Sequence, residues 1–241
     1  MVERQEPVAV ITGAGRGIGR ATALELADRG YHLALAARSA DQLEESGRLV
    51  QARRPATRIW RCPMDVSNPR DCQRLIDGAG ESLGRVDALV HCAGLAPAVA
   101  LKQMTIEQWR EVIDTNLSSA FYLARAVWPV FARQQSGVIV NISSMASRDP
   151  LPGFGAYGAA KSALNTLSLM LSREGAAVGM RVHTIAPGAV ETAMFRALLS
   201  EEQYPRDRTL DPAEVARVIA GCVCGDLRHT SGEVIFLSRS V

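Results

Sequence analysis

Short apolar runs alternate with amphipathic stretches along this chain. The apolar runs are rich in β-branched residues and several are bounded by Gly, Pro or Ser, which predicts strands over residues 8–12, 32–37, 58–62, 86–91, 137–142, 181–185 and 233–237. The intervening segments carry helical spacing, as Ile18, Ala21 and Leu24 do after the first run. Strands separated by helices predict right-handed crossovers and one doubly wound parallel α/β sheet, of about seven strands, with helices on both faces.

Length and charge limit the class of protein. The chain has 241 residues, of which 47% are apolar, so it can form the core of one domain over residues 1–241. Its net charge is only +2, which argues against a nucleic-acid partner. Residues 48–61 are locally basic, and a solvated helix face followed by an edge strand is the simplest explanation for that stretch.

The N-terminus and the cysteines bear on the compartment. The N-terminal segment has no apolar signal region, and no apolar stretch approaches the roughly 18 residues that a membrane span needs, so we expect a cytoplasmic protein. Five irregularly spaced cysteines predict reduced thiols in a core instead of a disulfide framework. The scattered histidines and cysteines predict no metal site.

A glycine-rich turn follows the first predicted strand and reads Thr12-Gly13-Ala14-Gly15-Arg16-Gly17-Ile18-Gly19. A helix is predicted to begin near Gly17, so its unpaired N–H groups and positive dipole end favour a dinucleotide pyrophosphate here. Gly13 permits a positive φ, Gly17 a close approach of the pyrophosphate, and Gly19 close packing of the helix on the sheet. The spacing differs from the common G-x-G-x-x-G fingerprint, and an ordinary flexible loop is the competing interpretation.

Arg38 follows the second predicted strand, where many dinucleotide sites place an acidic residue on the ribose 2′-hydroxyl. An arginine favours a 2′-phosphate instead, because a charge pair near ~4 Å is worth roughly 1–4 kcal/mol at an effective dielectric of about 20 to 80. Arg38, with Arg16 in support, therefore predicts NADP(H) as the preferred cofactor and NAD(H) as the alternative. A solvated arginine is the competing interpretation.

Tyr157 and Lys161 are four residues apart in a helix predicted to begin near Gly155, so they project from the same face. A cation about 5 Å from a phenol contributes roughly 3 kcal/mol towards lowering its pKa from about 10 into the range of proton transfer near neutrality. A surface Tyr-Lys pair is the competing interpretation.

Ser144 follows a predicted strand and can hydrogen-bond a substrate oxygen, although Ser143 competes for that role.

Asn116 lies in a long helical segment that begins at Thr105, where Thr105 and Gln108 form a capping box. It occurs on an otherwise apolar face, and a buried amide must have hydrogen-bond partners. Two hypotheses are open. Asn116 is either a core residue bound to the backbone, or it binds a water that passes protons from Lys161 towards solvent.

In this order, the motifs resemble the short-chain dehydrogenase/reductases, a family with a Rossmann-like fold, over essentially the whole chain. Residues 12–19 are similar to the family's cofactor turn, Asp65-Val66 to its adenine contact, and Asn116, Ser144, Tyr157 and Lys161 to its catalytic tetrad. The resemblance implies that Tyr157 is the acid/base, that Ser144 orients the substrate oxygen, and that Lys161 binds ribose hydroxyls while it lowers the tyrosine's pKa.

The segment Pro187-Gly188-x-x-x-Thr192 also resembles the family, which implies that backbone near Val190 and the hydroxyl of Thr192 hold the nicotinamide carboxamide. Three features depart from it. The usual Asn-Asn-Ala-Gly reads His91-Cys92-Ala93-Gly94, which keeps Ala93 and Gly94 beside the cofactor but replaces the amides that brace neighbouring strands. The substrate loop at residues 192–212 is short, and the ending at 232–241 lacks the closing Gly-Gly, which implies a less enclosed pocket and an altered assembly surface.

The resulting hypothesis is an NADP(H)-dependent oxidoreductase that transfers hydride between nicotinamide and a ketone or secondary alcohol. Resemblance to the 3-oxoacyl carrier-protein reductases makes 3-oxoacyl thioesters one substrate class, and Arg196 or Arg206 is a candidate for a carrier's phosphate. The resemblance also implies a homotetramer or homodimer formed through the helices that contain Asn116 and Tyr157. A set of apolar residues is expected to line the substrate pocket: Met145, Leu151, Phe154, Met194, Phe195 and Leu198.

Two alternatives compete with this hypothesis. A non-catalytic dinucleotide-binding sensor or scaffold would keep the fold, but the four intact catalytic residues argue against it. A sugar-nucleotide epimerase or dehydratase uses a similar Tyr-Lys pair, but it needs a larger substrate domain than this chain provides.

Overall fold

The predicted alternation of strands and helices is present in the computed structural model, which describes residues 6–239. Residues 1–5 of the N-terminal segment and residues 240 and 241 of the C-terminal ending lie outside the described part. Parallel strands form one sheet in the order β3-β2-β1-β4-β5-β6-β7. The strands are β1 (Val8–Thr12), β2 (His32–Ala37), β3 (Ile59–Pro63), β4 (Ala88–His91), β5 (Gly137–Ile142), β6 (Met180–Pro187) and β7 (Val234–Leu237).

Strands β1, β2 and β5 have the predicted bounds, and the other four differ by one or two residues at their ends. β4 begins later than predicted, because the carboxylate of Asp87 accepts the N–H of Val8 and takes the place of a ladder bond. β6 is longer than predicted, because Ala186 and Pro187 still pair with β7. These end effects depend on neighbouring strands, which a local apolar pattern does not contain.

Helices cover both faces of the sheet, as the sequence predicts. Helices α1 (Gly17–Asp28), α2 (Ala40–Arg53) and α8 (Pro212–Cys224) pack on one face, and α3 (Pro69–Leu83), α5 (Ser119–Gln134) and α6 (Gly155–Gly175) pack on the other. The short helices α4 (Ile106–Ile113) and α7 (Ala193–Arg196) complete the set. In the described part, no helix combines the length and apolar character needed to cross a bilayer.

The chain winds outward from β1 to β3 and then returns to place β4 on the other side of β1. The connection after β1 therefore runs to one side of the sheet and the connection after β4 to the other, which leaves a crevice between the carboxyl ends of these two strands. Doubly wound sheets bind ligands in the crevice beyond this point. The first glycine turn follows β1 and residues 92–94 follow β4, so both lie at that crevice.

Candidate active site

A cavity of about 760 Å³ opens at the carboxyl edge of the sheet. It brings together residues from both halves of the chain that the sequence places far apart. The predicted site residues that line it are Gly13, Gly15, Arg16, Gly17, Ile18, Gly19, Arg38, Asp65, Val66, Ala93, Gly94, Ser144, Tyr157, Lys161, Pro187, Gly188, Val190 and Thr192. Thr12 and Asn116 are buried behind the cavity wall and do not line it.

The glycine turn has the backbone conformation that its sequence predicts. Gly13 has a φ of 65° and Gly17 a φ of 56°, both in the left-handed region that glycine adopts without strain. Gly19 is also required by close packing. A Cβ at Gly19 would collide with the carbonyl oxygen of Gly13, so glycine lets the helix pack closely against the backbone at the end of β1.

Helix α1 begins in this turn without a side-chain cap. Arg16 occupies the N-cap position, but its side chain makes no capping hydrogen bond and the first turn has no acidic residue. The first N–H groups of α1 are therefore available to a phosphate, and the helix dipole favours its negative charge. The turn fits the pyrophosphate of a dinucleotide.

Two residues that the sequence analysis missed hold the carbonyl groups of this turn. The hydroxyl of Ser46 donates to the carbonyl oxygen of Ala14 at 2.8 Å, and the guanidinium of Arg20 donates to that of Gly15. Arg20 also donates to Ser46 at 3.0 Å. These bonds engage the carbonyl groups of Ala14 and Gly15, so the turn is fixed by residues of α1 and α2. Ser46 lies on α2, too far along the chain for any local motif to indicate this contact.

The adenosine end of the cavity carries exposed charge. Arg38 is exposed at the end of β2 and forms no ion pair with another described residue. Arg16 is also exposed, on the neighbouring turn. The carboxylate of Asp65 accepts hydrogen bonds from the backbone and hydroxyl of Ser67, both at 2.9 Å, which holds it at the rim. Two free guanidinium groups at this end suit an anionic group.

Tyr157 and Lys161 project from α6 towards the end of β5. The ammonium of Lys161 is 5.7 Å from the centroid of the Tyr157 ring and donates to the carbonyl oxygen of Ile142 at 2.8 Å. The two serines after β5 divide their roles. The hydroxyl of Ser143 is buried and donates to the carbonyl oxygen of Lys161 at 3.3 Å, whereas that of Ser144 accepts the N–H of Ala146 at 3.1 Å and keeps its proton for the cavity. Ser144 is thus the serine available to a substrate.

The electrostatics of the phenol differ from the sequence-based expectation. Burial raises the pKa of Tyr157, and interaction with the Ser144 side chain opposes only part of that increase. Burial also lowers the pKa of Lys161 from its ordinary 10.5 to about 8. In the protein alone, the pKa of Tyr157 is therefore raised and not lowered as expected, because burial removes the phenolate from water. Tyr157 is protonated at neutral pH, which is the form that donates a proton.

Asn116 lies in a π-helical turn, Asp114–Ser118, between α4 and α5. Its amide donates to the carbonyl oxygens of Leu95 and Val112 at 2.8 and 2.9 Å and accepts the N–H of Leu95 at 3.3 Å. These are the backbone partners of the first hypothesis. A π-turn is rare and occurs often at functional sites, because the extra residue re-aims a side chain. Here it directs the amide at the backbone that follows β4.

His91 stands where the family usually has a bracing amide, and its imidazole contacts two neighbouring elements. Its ring nitrogens lie 2.7 Å from the hydroxyl of Thr12 and 2.8 Å from that of Ser119. The hydroxyl of Thr12 also accepts the N–H of Ala93 at 3.3 Å, which explains why Thr12 does not line the cavity. The imidazole therefore links β1 and α5 at the position where the family usually has an amide.

The substrate end of the cavity has an apolar wall. All six residues predicted for it line the cavity: Met145, Leu151, Phe154, Met194, Phe195 and Leu198. Thr192 caps α7 by accepting the N–H of Phe195 at 3.2 Å. Arg196 is not free to meet a carrier's phosphate, because it pairs with Glu191 at 2.6 Å and donates to the carbonyl oxygen of Tyr204 at 2.7 Å.

The loop at residues 192–212 is held to the sheet by local contacts. Val190 and Leu210 form a parallel bridge, and the hydroxyl of Thr209 donates to Glu191 at 3.1 Å. Hydrogen bonds with Arg196 lower the pKa of Glu191 to about 2, so this carboxylate stays charged over the physiological range. Arg206 does not line the cavity.

The cysteines are all free. Cys62, Cys72 and Cys222 are buried, as expected, whereas Cys224 is exposed. Cys92 lines the cavity, and burial raises the pKa of its thiol to about 12. It is therefore a small, neutral group beside the cofactor turn.

Comparisons with known proteins show the family of this chain. The family model of the short chain dehydrogenases matches residues 7–203. The chain belongs to this family. It is an NAD(P)-dependent dehydrogenase or reductase that acts on alcohol or ketone groups, and a nicotinamide dinucleotide is its cofactor.

Several relatives cover almost all of this short-chain dehydrogenase. The 3-oxoacyl-[acyl-carrier-protein] reductase of Escherichia coli K12 is 32% identical over 237 residues, 96% of this chain and 95% of that protein. An uncharacterized oxidoreductase of Staphylococcus saprophyticus is 33% identical over 216 residues, 90% of each chain. The crystal structure of levodione reductase matches with a TM-score of 0.91 at 26% identity and covers 98% of this chain and 97% of that one.

Proposed function

We propose that this short-chain dehydrogenase is an NADP(H)-dependent reductase of ketones in which Tyr157 donates the proton. One observation carries the proposal: a single cavity joins an uncapped helix N-terminus at one end to a half-buried, protonated Tyr157 beside Ser144 and Lys161 at the other. The first end suits a pyrophosphate and the second a carbonyl oxygen. When bound, the cofactor supplies the hydride.

The catalytic residues divide the work around the substrate oxygen. The hydroxyl of Ser144 donates a hydrogen bond to that oxygen, and the phenol of Tyr157 gives it a proton as negative charge develops. The ammonium of Lys161 stabilises the phenolate that is left and has hydrogen-bond donors to spare for ribose hydroxyls. Asn116 holds the backbone at Leu95, and through it the wall at Gly94, where a Cβ would lie 2.8 Å from the Asn116 amide oxygen.

The remaining predicted residues hold the cofactor. In this proposal the turn from Gly13 to Gly19 binds the pyrophosphate, Asp65 and Val66 contact the adenine, and Ala93 and Gly94 lie beside the nicotinamide ribose. Backbone near Val190 and the hydroxyl of Thr192 bind the carboxamide, with Pro187 and Gly188 shaping the turn. The hydroxyl of Thr192 already accepts one N–H and keeps its own proton for this purpose.

Arg38 and Arg16 support NADP(H) over NAD(H). Arg38→Asp is expected to reverse the preference, because it replaces attraction to a 2′-phosphate by repulsion and offers a carboxylate to a 2′-hydroxyl. The ratio of kcat/KM with NADPH to that with NADH should fall by about a hundredfold or more. Arg70→Asp, an exposed arginine that does not line the cavity, is the control. An unchanged ratio in Arg38→Asp would show that Arg38 does not bind the phosphate.

The substrate class is proposed from the apolar wall and from the relatives. A wall of methionine, leucine and phenylalanine side chains suits an acyl chain or a ring, and 3-oxoacyl thioesters are included because similar chains are 3-oxoacyl carrier-protein reductases. The test is cofactor oxidation across 3-oxoacyl thioesters, diketones, quinones and cyclic ketones with NADPH and NADH. Cofactor binding without turnover of any of these compounds would contradict the proposed reductase.

We also propose a homodimer or homotetramer formed through α4, α5 and α6. Large apolar side chains are exposed on these helices, including Trp109, Phe121 and Met170. Exposed apolar groups on neighbouring helices are typical of surfaces that a partner covers.

A further inference from the structure

The imidazole of His91 occupies a junction between three parts of the site. His91 ends β4 and is buried, and its two nitrogens reach hydroxyl groups on different elements. Thr12 ends β1 immediately before the glycine turn. Ser119 begins α5 immediately after the π-helical turn that holds Asn116. One side chain therefore links the cofactor turn, the end of β4 and the segment that holds Asn116.

The directions of these hydrogen bonds follow from counting protons. The hydroxyl of Ser119 has one proton and donates it to the carbonyl oxygen of Thr115 at 2.7 Å. It can therefore only accept from His91, so the proton of the imidazole lies on Nε2. Nδ1 of the neutral ring is then an acceptor, and the hydroxyl of Thr12 donates to it. The lone pairs of Thr12 are left to accept the N–H of Ala93.

This arrangement connects His91 to the cavity wall. The backbone of Ala93 packs directly against the glycine turn, since a Cβ at Gly13 would lie 2.8 Å from the Ala93 nitrogen. Ala93 and Gly94 line the cavity, and Gly94 contacts Asn116 on its other side. A change at His91 would therefore move the cofactor turn through Thr12 and the Asn116 segment through Ser119.

We propose that His91 is a positioning residue that, as a neutral imidazole protonated on Nε2, holds the cofactor turn with one nitrogen and the Asn116 segment with the other. Burial, and to a lesser extent the charge of Lys161, lowers the pKa of His91 to about 3, so the ring stays neutral wherever the enzyme is folded. The kinetic consequences rest on the proposed function. The tautomer of His91 and its effect on cofactor affinity do not rest on the proposed function.

Two substitutions separate the two links. His91→Asn places an amide oxygen near the position of Nδ1 and keeps the acceptor for Thr12, but it is too short to reach Ser119. His91→Gln reaches Ser119 with its amide nitrogen and places no acceptor beside Thr12. We expect His91→Gln to raise the Kd for NADPH about three- to tenfold, the range for one buried hydrogen bond. We expect His91→Asn to keep that Kd within about twofold and to lower kcat about three- to tenfold.

Ser119→Ala supplies an independent check. It should reproduce the effect of His91→Asn, and the double variant should be no worse than either single one, because both remove the same hydrogen bond. His183→Asn is the matched control. It also alters a buried histidine, but one whose partner is Thr230 at 3.1 Å and which does not line the cavity. If the role of His91 were purely structural, both His91 variants and His183→Asn would lower thermal stability. His91→Gln would then not act mainly on Kd, and His91→Asn would not act mainly on kcat.

Nitrogen-15 NMR of the histidine-labelled native protein tests the tautomer without any variant. The chain has four histidines, and His183 is an internal reference. The hydroxyl of Thr230 donates to the carbonyl oxygen of Leu227 at 2.9 Å, so His183 must donate through Nδ1 and show the opposite tautomer. We expect one neutral Nε2–H ring from His91 and one neutral Nδ1–H ring from His183.

The proposal is overturned if His91 is protonated on Nδ1 or on both nitrogens near neutral pH. It is also overturned if His91→Gln and His91→Asn change Kd and kcat in the same proportion. A failure of the proposed function would have a different signature. The tautomer and the NADPH affinities would then be as expected, while no carbonyl compound was reduced even by the native protein.

Discussion

Tyr157→Phe is expected to lower kcat for ketone reduction by about a hundred- to ten-thousandfold, the usual contribution of a general acid. The substitution removes only the phenol oxygen, and the ring keeps its contacts on α6. Because burial raises the pKa of Tyr157, the native phenol is protonated and ready to donate near neutral pH. The Kd for NADPH, measured by the fluorescence of the reduced cofactor, should change by about twofold or less.

Tyr31→Phe is the control for this prediction. It removes a hydroxyl from a half-buried tyrosine that does not line the cavity, and its kcat should match that of the native enzyme. Near-native turnover in Tyr157→Phe would refute the assignment of the proton donor. A parallel loss of NADPH binding would instead show that the phenol is needed to shape the cofactor site.

Local patterns predicted the architecture because each element carries its own signal. The apolar runs at β1, β2 and β5 are followed directly by Gly13, Arg38 and Ser143, so their bounds could be predicted from the sequence. The glycines of the cofactor turn are required by backbone geometry, and their spacing indicates a turn before any fold is known. Tyr157 and Lys161 share a helix, so their proximity follows from helical periodicity alone.

The contacts that tune the site could not be predicted in this way, because they join residues far apart in the chain. Ser46 reaches the glycine turn from α2, and His91 reaches Ser119 across 28 positions. The π-helical turn at Asn116 depends on packing against neighbouring elements and leaves no signature in composition.

The pKa of Tyr157 shows most clearly why geometry had to be known. The sequence supplies a cation four residues away and predicts a lowered pKa, which is correct for a solvated pair. In the folded chain both groups are withdrawn from water, which raises the pKa of Tyr157 and lowers that of Lys161. Proximity was predictable from the sequence, whereas the degree of burial was not.

Lys161→Met is expected to lower turnover and to raise the free energy of unfolding. Turnover should fall by about a hundredfold or more, because the phenolate loses its cation and the ribose its donor. The cofactor-free protein should nevertheless become more stable at pH 7. A decrease in the pKa of Lys161 from 10.5 to about 8 corresponds to a cost of about 3 kcal/mol for burying the charge, at 1.36 kcal/mol per unit. Loss of the hydrogen bond to Ile142 offsets about 1 kcal/mol of that gain.

The stability difference between Lys161→Met and the native protein should depend on pH. Below pH 8 the lysine is protonated in both the folded and the unfolded chain, so the full cost of burial is present. Between about pH 8 and 10.5 the unfolded chain binds the proton more tightly, so this group makes the native protein more stable as pH rises. The advantage of Lys161→Met in urea unfolding should therefore be largest at pH 7 and shrink across this window.

The chain contains only one other lysine, Lys102, which is exposed, so Lys102→Met is a matched control that should change neither stability nor its pH dependence. If Lys161→Met were instead less stable than the native protein by more than about 1 kcal/mol at pH 7, partners in the folded chain would be stabilising the ammonium. The cavity would then be built to hold a cation before the cofactor binds. A gain in stability with a loss of turnover would mean that the fold tolerates an unfavourable buried charge because the reaction needs it.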